Sequence, residues 1–274
     1  MSALRFSLRE TPPQRLDLSA LIPERLADLE MAEILRLSVT TTRQPLCVGD
    51  VFTVHPGKAD EVVIAGGSAW FDEVGAGMTR GTLSVEGEVG ARAGRGMQGG
   101  RLLVRGDAGV FAASGMRGGE IEIGGNVGAF LAAPGPGERL GMAGGLVVVR
   151  GNAGARAGDR LRRGVIVIEG DTGDEPASRM LAGTLIVCGQ AGARAGYLMR
   201  RGTLVAARAA PLPTFVPTGS ADQVFRALLA RAIAAVSPDA AALLGETLAR
   251  FGGDVATLGK GEMFIRVGQI AATG

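Results

Sequence analysis

Residues 78–94 read MTRGTLSVEGEVGARAG, and the same order of residue types returns along the chain. Equivalents of Met78 are Met97, Met116, Met142, Leu161, Met180 and Met199, at spacings of 19, 19, 26, 19, 19 and 19 residues. The fourth position is glycine in every unit: Gly81, Gly100, Gly119, Gly145, Gly164, Gly183 and Gly202. The closing pentapeptide GARAG recurs at 90–94, 154–158 and 192–196. A fixed period of this size marks a stacked repeat architecture, in which each unit buries its apolar face only against its neighbours.

Inside each unit lies a short alternating run: TLSV, RLLV, EIEI, LVVV, VIVI, TLIV and TLVA. A two-residue period is that of a strand with one buried face and is incompatible with a helix. The inward pairs run from Leu83 and Val85 to Leu204 and Ala206. One strand, a glycine corner, a second short extended piece and another corner in 19 residues make one coil of a parallel stack, rising about 4.8 Å per coil. The expected fold is therefore all-β, a right-handed parallel β-helix of about 19 residues per coil and about seven coils. The methionine column predicts an internal ladder, because an unbranched thioether fills irregular space. Asp107, Asn126, Asn152 and Asp171 predict turns closed by the side chain on its own backbone. The 26-residue unit carries its extra residues in LAAPGPGERLG, a proline-rich loop at one corner.

The flanks do not repeat. LRFSL at 4–8 and GDVFTV at 49–54 alternate like strands, and PERLADLEMAEIL from Pro23 reads as one helix. ADQVFRALLARAIAAV at 221–236 has an amphipathic helical face, and Pro238 starts a second helix running to about Phe251. A stack has two open ends, so these pieces are expected to cap it. Three segments follow: a non-repeating N-terminal α/β part at 1–57, the repeat at 58–210 and a helical C-terminal extension at 211–274.

The 274 residues are 46% hydrophobic, enough for a substantial core, and the formal charge of +2 is too small for a general nucleic-acid binder. Cys47 and Cys188 are isolated, without metal-site or disulfide spacing. The N-terminus lacks a signal-peptide core and no apolar run reaches 18 residues, so a cytoplasmic protein with no membrane partner is expected. The single histidine, His55, precedes the repeat and reads as a turn or packing residue. No nucleophile, base and orienting partner can be assembled, and no ligand cluster suggests a metal. Pectate-lyase-like catalysis lacks its acidic cluster, hexapeptide acyltransferases have periods in multiples of six, and glycine-rich strings carry no dinucleotide signal here. A self-contained enzyme is not expected, and no catalytic or metal-binding residue is assigned.

The units MRGGEIEIGGNVGAF at 116–130 and MAGGLVVVRGNAGARAG at 142–158 resemble the C-terminal β-helix domain of the glutamate synthase large subunit. They are still more similar to the C-component family of formylmethanofuran dehydrogenase, and over residues 59–206 the chain resembles in particular its members in the formyltransferase/hydrolase complexes of methylotrophic bacteria. The resemblance implies one-carbon metabolism and formaldehyde oxidation: a formyl group passes from formyl-tetrahydromethanopterin to a methanofuran-type carrier and is hydrolysed to formate. It also implies an amidohydrolase-like hydrolase subunit, a formyltransferase subunit and a further structural subunit as partners, with the activities residing in other chains. The alternative is the C component of a molybdenum or tungsten formylmethanofuran dehydrogenase.

Two surface patterns carry expectations. Between the inward pairs the outward residue is Ser84, Leu103, Glu122, Val148, Val167, Ile186 and Val205, apolar over the last four units. Such a stripe is expected to be covered, by helix 221–236 or by a partner. Second, Arg92, Arg156 and Arg194 share one position, with Phe111 and Phe130 between. Residues 78–205 hold 16 arginines against 11 acidic residues, a net +5. The bland reading is solvation of a regular surface. The sharper one takes the resemblance, whose carrier bears a chain of glutamates, and assigns Arg92, Arg156 and Arg194 to holding it by salt-screened carboxylate contacts.

Overall fold

In the computed structural model, which describes residues 2–219 and 223–270, every alternating run of the repeat is a β-strand. The N-terminal elements are β1 (Ala3–Leu8), β2 (Leu16–Asp17), α1 (Pro23–Leu26), α2 (Met31–Leu35), α3 (Val48–Val51), β3 (Phe52–His55), β4 (Lys58–Ala65) and β5 (Phe71–Asp72). The repeat supplies β6 (Thr82–Val85), β7 (Arg101–Val104), β8 (Glu120–Ile123), β9 (Ala143–Val149), β10 (Arg163–Ile168), β11 (Thr184–Gln190) and β12 (Arg201–Arg208). After them come β13 (Val216–Pro217), α4 (Gln223–Ile233), α5 (Pro238–Gly245), β14 (Leu248–Gly253) and β15 (Lys260–Arg266).

Thirteen strands form one sheet in the order β13-β14-β15-β12-β11-β10-β9-β8-β7-β6-β4-β1-β3. Pairing is parallel from β1 through to β15 and antiparallel only at the two ends. The protein is thus mostly β, with a large, mostly parallel sheet and few helices. One register line runs Leu83, Leu102, Ile121, Val147, Ile166, Leu185, Leu204, Met263 across successive strands. The longer unit leaves this line intact, because Ile121 still faces Val147 and the extra residues are spent in the 134–141 loop.

The core follows the pattern. Every inward residue of β6 to β12 is buried, and Met78, Met97, Met116, Met142, Leu161, Met180 and Met199 are all fully buried. Within GARAG the two glycines answer different needs. A Cβ on Gly192 would lie 2.3 Å from the Gly173 carbonyl oxygen, so that glycine permits backbone contact. Gly196 has φ +73°, a left-handed conformation. The alanine between, Ala93, Ala157 or Ala195, points into the core.

The Asp/Asn column behaves differently from the expected self-closing turn. Asp107 accepts a hydrogen bond from the Asn126 N–H (2.7 Å), Asn126 from Asn152 (2.9 Å), Asn152 from Asp171 (2.8 Å) and Asp171 from Gln190 (2.7 Å). Each side chain reaches to the equivalent residue of the next unit, because that N–H lies one strand spacing away, within reach of a short polar side chain. The column is a ladder between units.

The flanks correct several expectations. PERLADLEMAEIL is two short helices, α1 and α2, because Glu30 starts a second cap with Glu33, whose carboxylate accepts from the Glu30 N–H at 2.9 Å. Part of GDVFTV is α3 rather than strand. The helix from Pro238 ends at Gly245, and Phe251 lies in β14, whose register against β15 claims Leu248–Gly253. Of the helix expected at 221–236, residues 223–233 are helical, and residues 221 and 222 lie outside the described residues.

The C-terminal helices cover the sheet's outer face and do not cap its end. Val148, Val167, Ile186 and Val205 are buried with Leu229 and Ile233 of α4 and Ala240, Leu243 and Leu244 of α5. The apolar stripe is thus covered within the chain. The end of the sheet is closed by β15, which pairs with β12, and by the antiparallel β14 and β13. Arg226, buried in α4, donates to the carbonyls of Leu244 (3.0 Å) and Glu246 (2.8 Å), satisfying acceptors that α5 leaves open. Beside the stripe, Arg150 bonds Glu122 (2.8 Å) and Glu169 (2.6 Å), and Ser237, the N-cap of α5, donates to Glu169 at 2.7 Å. The Arg150 hydrogen bond holds the Glu122 carboxyl below its ordinary range. Its contribution to stability is present above the ordinary carboxylate pKa and fades as pH falls through the lower folded value.

Candidate functional site

The structure places Arg92, Arg156 and Arg194 in one column with Phe111 and Phe130, and extends that column to Glu73 and Glu175. All seven residues are left-handed, with φ of 58° at Glu73, 63° at Arg92, 60° at Phe111, 66° at Phe130, 61° at Arg156, 58° at Glu175 and 55° at Arg194. Such a conformation costs an L-residue roughly 1–2 kcal/mol. Stacking imposes it. From Glu73 to Glu175 each backbone N–H reaches a carbonyl of the next unit, as Arg92 to Val110 (2.9 Å), Phe130 to Ala155 (2.8 Å) and Arg156 to Asp174 (2.7 Å).

The side chains pair along the column. Arg92 Nη1 lies 3.1 Å from Glu73 Oε1, Arg156 Nε 2.8 Å from Glu175 Oε2, and Arg194 Nη2 2.7 Å from Glu175 Oε1. The two glutamates are 12% and 11% exposed, while the arginines keep 45%, 39% and 57% of their surface. Phe111 and Phe130 stack with centroids 4.8 Å apart and planes 6° from parallel, and the Arg156 guanidinium lies 5.9 Å from the Phe130 centroid. The order is therefore Glu, Arg, Phe, Phe, Arg, Glu, Arg. Each arginine uses one part of its guanidinium on a glutamate; its other donors have no side-chain partner among the described residues.

Glu73 and Glu175 escaped the sequence reading, although the signal was there. Both stand at 19-residue steps from arginines of the row, Glu73 before Arg92 and Glu175 between Arg156 and Arg194. Their units are written EVGAG and DEPASRM, so the pentapeptide that marks the arginines does not mark them.

The other candidates are quiet. His55 is exposed at the end of β3, opposite Arg5. Cys188 packs against the cluster beneath α4 and α5, and burial, with Glu169 and Asp239 nearby, pushes its thiol up to about 12, so it stays protonated at neutral pH. Cys47 caps α3, and its hydrogen bond to Asp50 raises its pKa. Among the described residues no three His, Cys, Asp or Glu side chains come together to hold a metal, and no helix is long and apolar enough to cross a membrane.

No family model matches the chain. It is 56% identical over 266 residues to the C component of the formyltransferase/hydrolase complex Fhc of Methylorubrum extorquens, covering 97% of this chain and 99% of that one. Its structure superposes, with a TM-score of 0.92 and 44% identity, on a chain in the crystal structure of the formyltransferase/hydrolase complex (FhcABCD) of Methylorubrum extorquens in complex with methylofuran. That match covers 96% of this chain and 99% of the other. Near-full coverage at this identity leaves no room for a borrowed domain: the chain belongs to the family of the C component of the formyltransferase/hydrolase complex.

Proposed function

We propose that the protein is the non-catalytic β-helix subunit of a cytoplasmic formyltransferase/hydrolase complex. In this reading the complex moves a formyl group from formyl-tetrahydromethanopterin to a methanofuran-type carrier and hydrolyses it to formate. An amidohydrolase-like subunit, a formyltransferase subunit and a further structural subunit are its partners. The observation that carries the reading is the 56% identity with the Methylorubrum C component over 97% of the chain. The dehydrogenase alternative is not favoured, since both relatives belong to formyltransferase/hydrolase complexes.

The scaffold role rests on a stiff body. Residues 58–210 form a right-handed parallel β-helix in this proposal, flanked by segments 1–57 and 211–274. Two observations support closure of each unit into a coil. A second line of parallel bridges, Val89 to Ala108 to Val127 to Ala153 to Thr172, steps once per unit just as the main sheet does. A third contact per unit is the backbone bonding at the Arg92 column. Affinity purification of the tagged protein from its native host is expected to recover three further chains in fixed ratio; recovery of the protein alone as a monomer would remove the scaffold role.

Within the complex, Arg92, Arg156 and Arg194 are proposed to hold the glutamyl chain of the carrier. Glu73 and Glu175 neutralise part of the row, so retention depends on weak contacts from the guanidinium donors that remain. Replacing all three arginines by alanine is expected to leave the complex assembled while carrier loss on washing becomes at least about tenfold greater and less dependent on salt. Unchanged retention at every ionic strength would make these arginines partners of Glu73 and Glu175 only.

A further inference from the structure

The two ends of the sheet are finished differently. A stacked repeat stays soluble when its terminal pieces turn a polar face outward. The end at β3 obeys this: no large apolar side chain among residues 2–69 is exposed. At the other end Tyr197, Val216, Val255 and Leu258 are 41–59% exposed. Single exposed apolar residues are ordinary, but these are tied together by one loop.

Val255 and Leu258 stand on the turn 254–259 between β14 and β15. The Val255 N–H donates to the Thr214 carbonyl (3.1 Å), two residues before Val216, which itself pairs with Gly252 of β14. On the other side Asp254 accepts from the Leu198 N–H (3.1 Å), next to Tyr197, and its own N–H donates to the Met199 carbonyl (3.2 Å). Cations stand around this apolar group. Arg201 of β12 lies beside Lys260 of β15 in the parallel register, and Arg200 precedes it. All three are exposed, and none has an ion pair or side-chain hydrogen bond with a described residue. The nearby carboxylates are taken: Asp254 is 2% exposed and accepts from the Leu198 and Ala256 N–H groups, and Glu262 pairs with Arg250.

On the strength of the scaffold role above, we propose that this end of the sheet is the docking face for a different subunit of the complex, one whose contact surface has an apolar centre and a rim of carboxylates. An apolar centre that includes a tyrosine, with arginines around it, is the make-up of a protein interface. Two features choose the occupant. The outermost strand, β13, has two residues, and one of them is Pro217, which lacks an N–H, so the edge is blunted against an added strand and contact is through side chains. Charge selects against a second copy of this chain, because a two-fold contact would bring two sets of Arg200, Arg201 and Lys260, and no free carboxylate, into one interface. A partner with an acidic rim meets them with opposite sign.

The complex is assembled in its native host around the tagged parent, V255D/L258D or R200E/R201E/K260E, and the recovered chains and their ratios are read at low and high salt. V255D/L258D is expected to recover one partner chain at least about tenfold less than the parent, with the Tm of the full-length variant within a few degrees of the parent's, since both side chains are exposed. R200E/R201E/K260E is expected to lose the same chain, and the parent's hold on it to weaken as salt rises. Unchanged recovery by V255D/L258D would overturn the docking face and leave the scaffold role standing. Should the aspartates lower Tm, the charge reversal decides, because it touches no packed residue: unchanged recovery by R200E/R201E/K260E would then overturn the proposal. A parent that recovers no other chain would remove the scaffold role and the docking face together. A dimer of the parent that V255D/L258D dissociates would assign the face to a second copy and overturn the proposal.

Discussion

Val167→Lys is expected to yield insoluble protein or a chain that fails to enter its complex. Val167 is fully buried between β9 and β11 and beneath the α4–α5 pair. A lysine there must bury an ammonium with no carboxylate within the apolar cluster, or lift both helices off the sheet. Either route costs more than about 4 kcal/mol, a large share of the stability of an ordinary domain. Val167→Ile, which keeps the apolar character, is expected to fold and to shift Tm by only a few degrees. Thermal melting of the two proteins, with soluble yield as the second readout, checks the pair. Normal yield and an unshifted Tm for the lysine variant would mean that the helices do not seal the stripe.

The second large effect is expected from the addition of one methyl group. Gly192→Ala places a Cβ 2.3 Å from the Gly173 carbonyl oxygen and 2.4 Å from its carbonyl carbon. Both are backbone atoms of the neighbouring unit, so no side chain can swing aside, and the strand spacing itself must open. A loss of roughly 3 kcal/mol or more is expected, against about 1 kcal/mol for Gly219→Ala, where a Cβ meets nothing within 4 Å and only the left-handed backbone resists. Urea unfolding midpoints of the two variants give the comparison. Equal destabilisation would show that the repeat glycines serve turn conformation and not close approach.

Those glycines illustrate what the sequence made legible. Period, strand positions, burial of the methionine column and the covered apolar stripe all followed from spacing and alternation, because each is repeated many times and a single error would not survive the register. What was misread in the flanks occurs once. The stop at Gly245 and the strands β14 and β15 depend on pairing with β12, a contact between residues about 60 positions apart that no local pattern signals. The Asp/Asn column was read as a set of isolated turns because side-chain reach between units is invisible to composition. At the candidate site the arginine row was legible, but its neutralising partners Glu73 and Glu175 were hidden by units that depart from GARAG.

The placement of α4 and α5 also orders events in time. Stripe residue Val205 precedes its covering residue Leu229 by 24 positions in the chain. During synthesis the N-terminal strands can stack as they emerge, since each needs only the one before it. The stripe across β9 to β12 is then finished before its cover has emerged. A nascent chain therefore passes through an interval in which four adjacent β-branched side chains face water. In that interval the last units stand open to chaperones or to a second nascent chain, and docking of the helices closes the window.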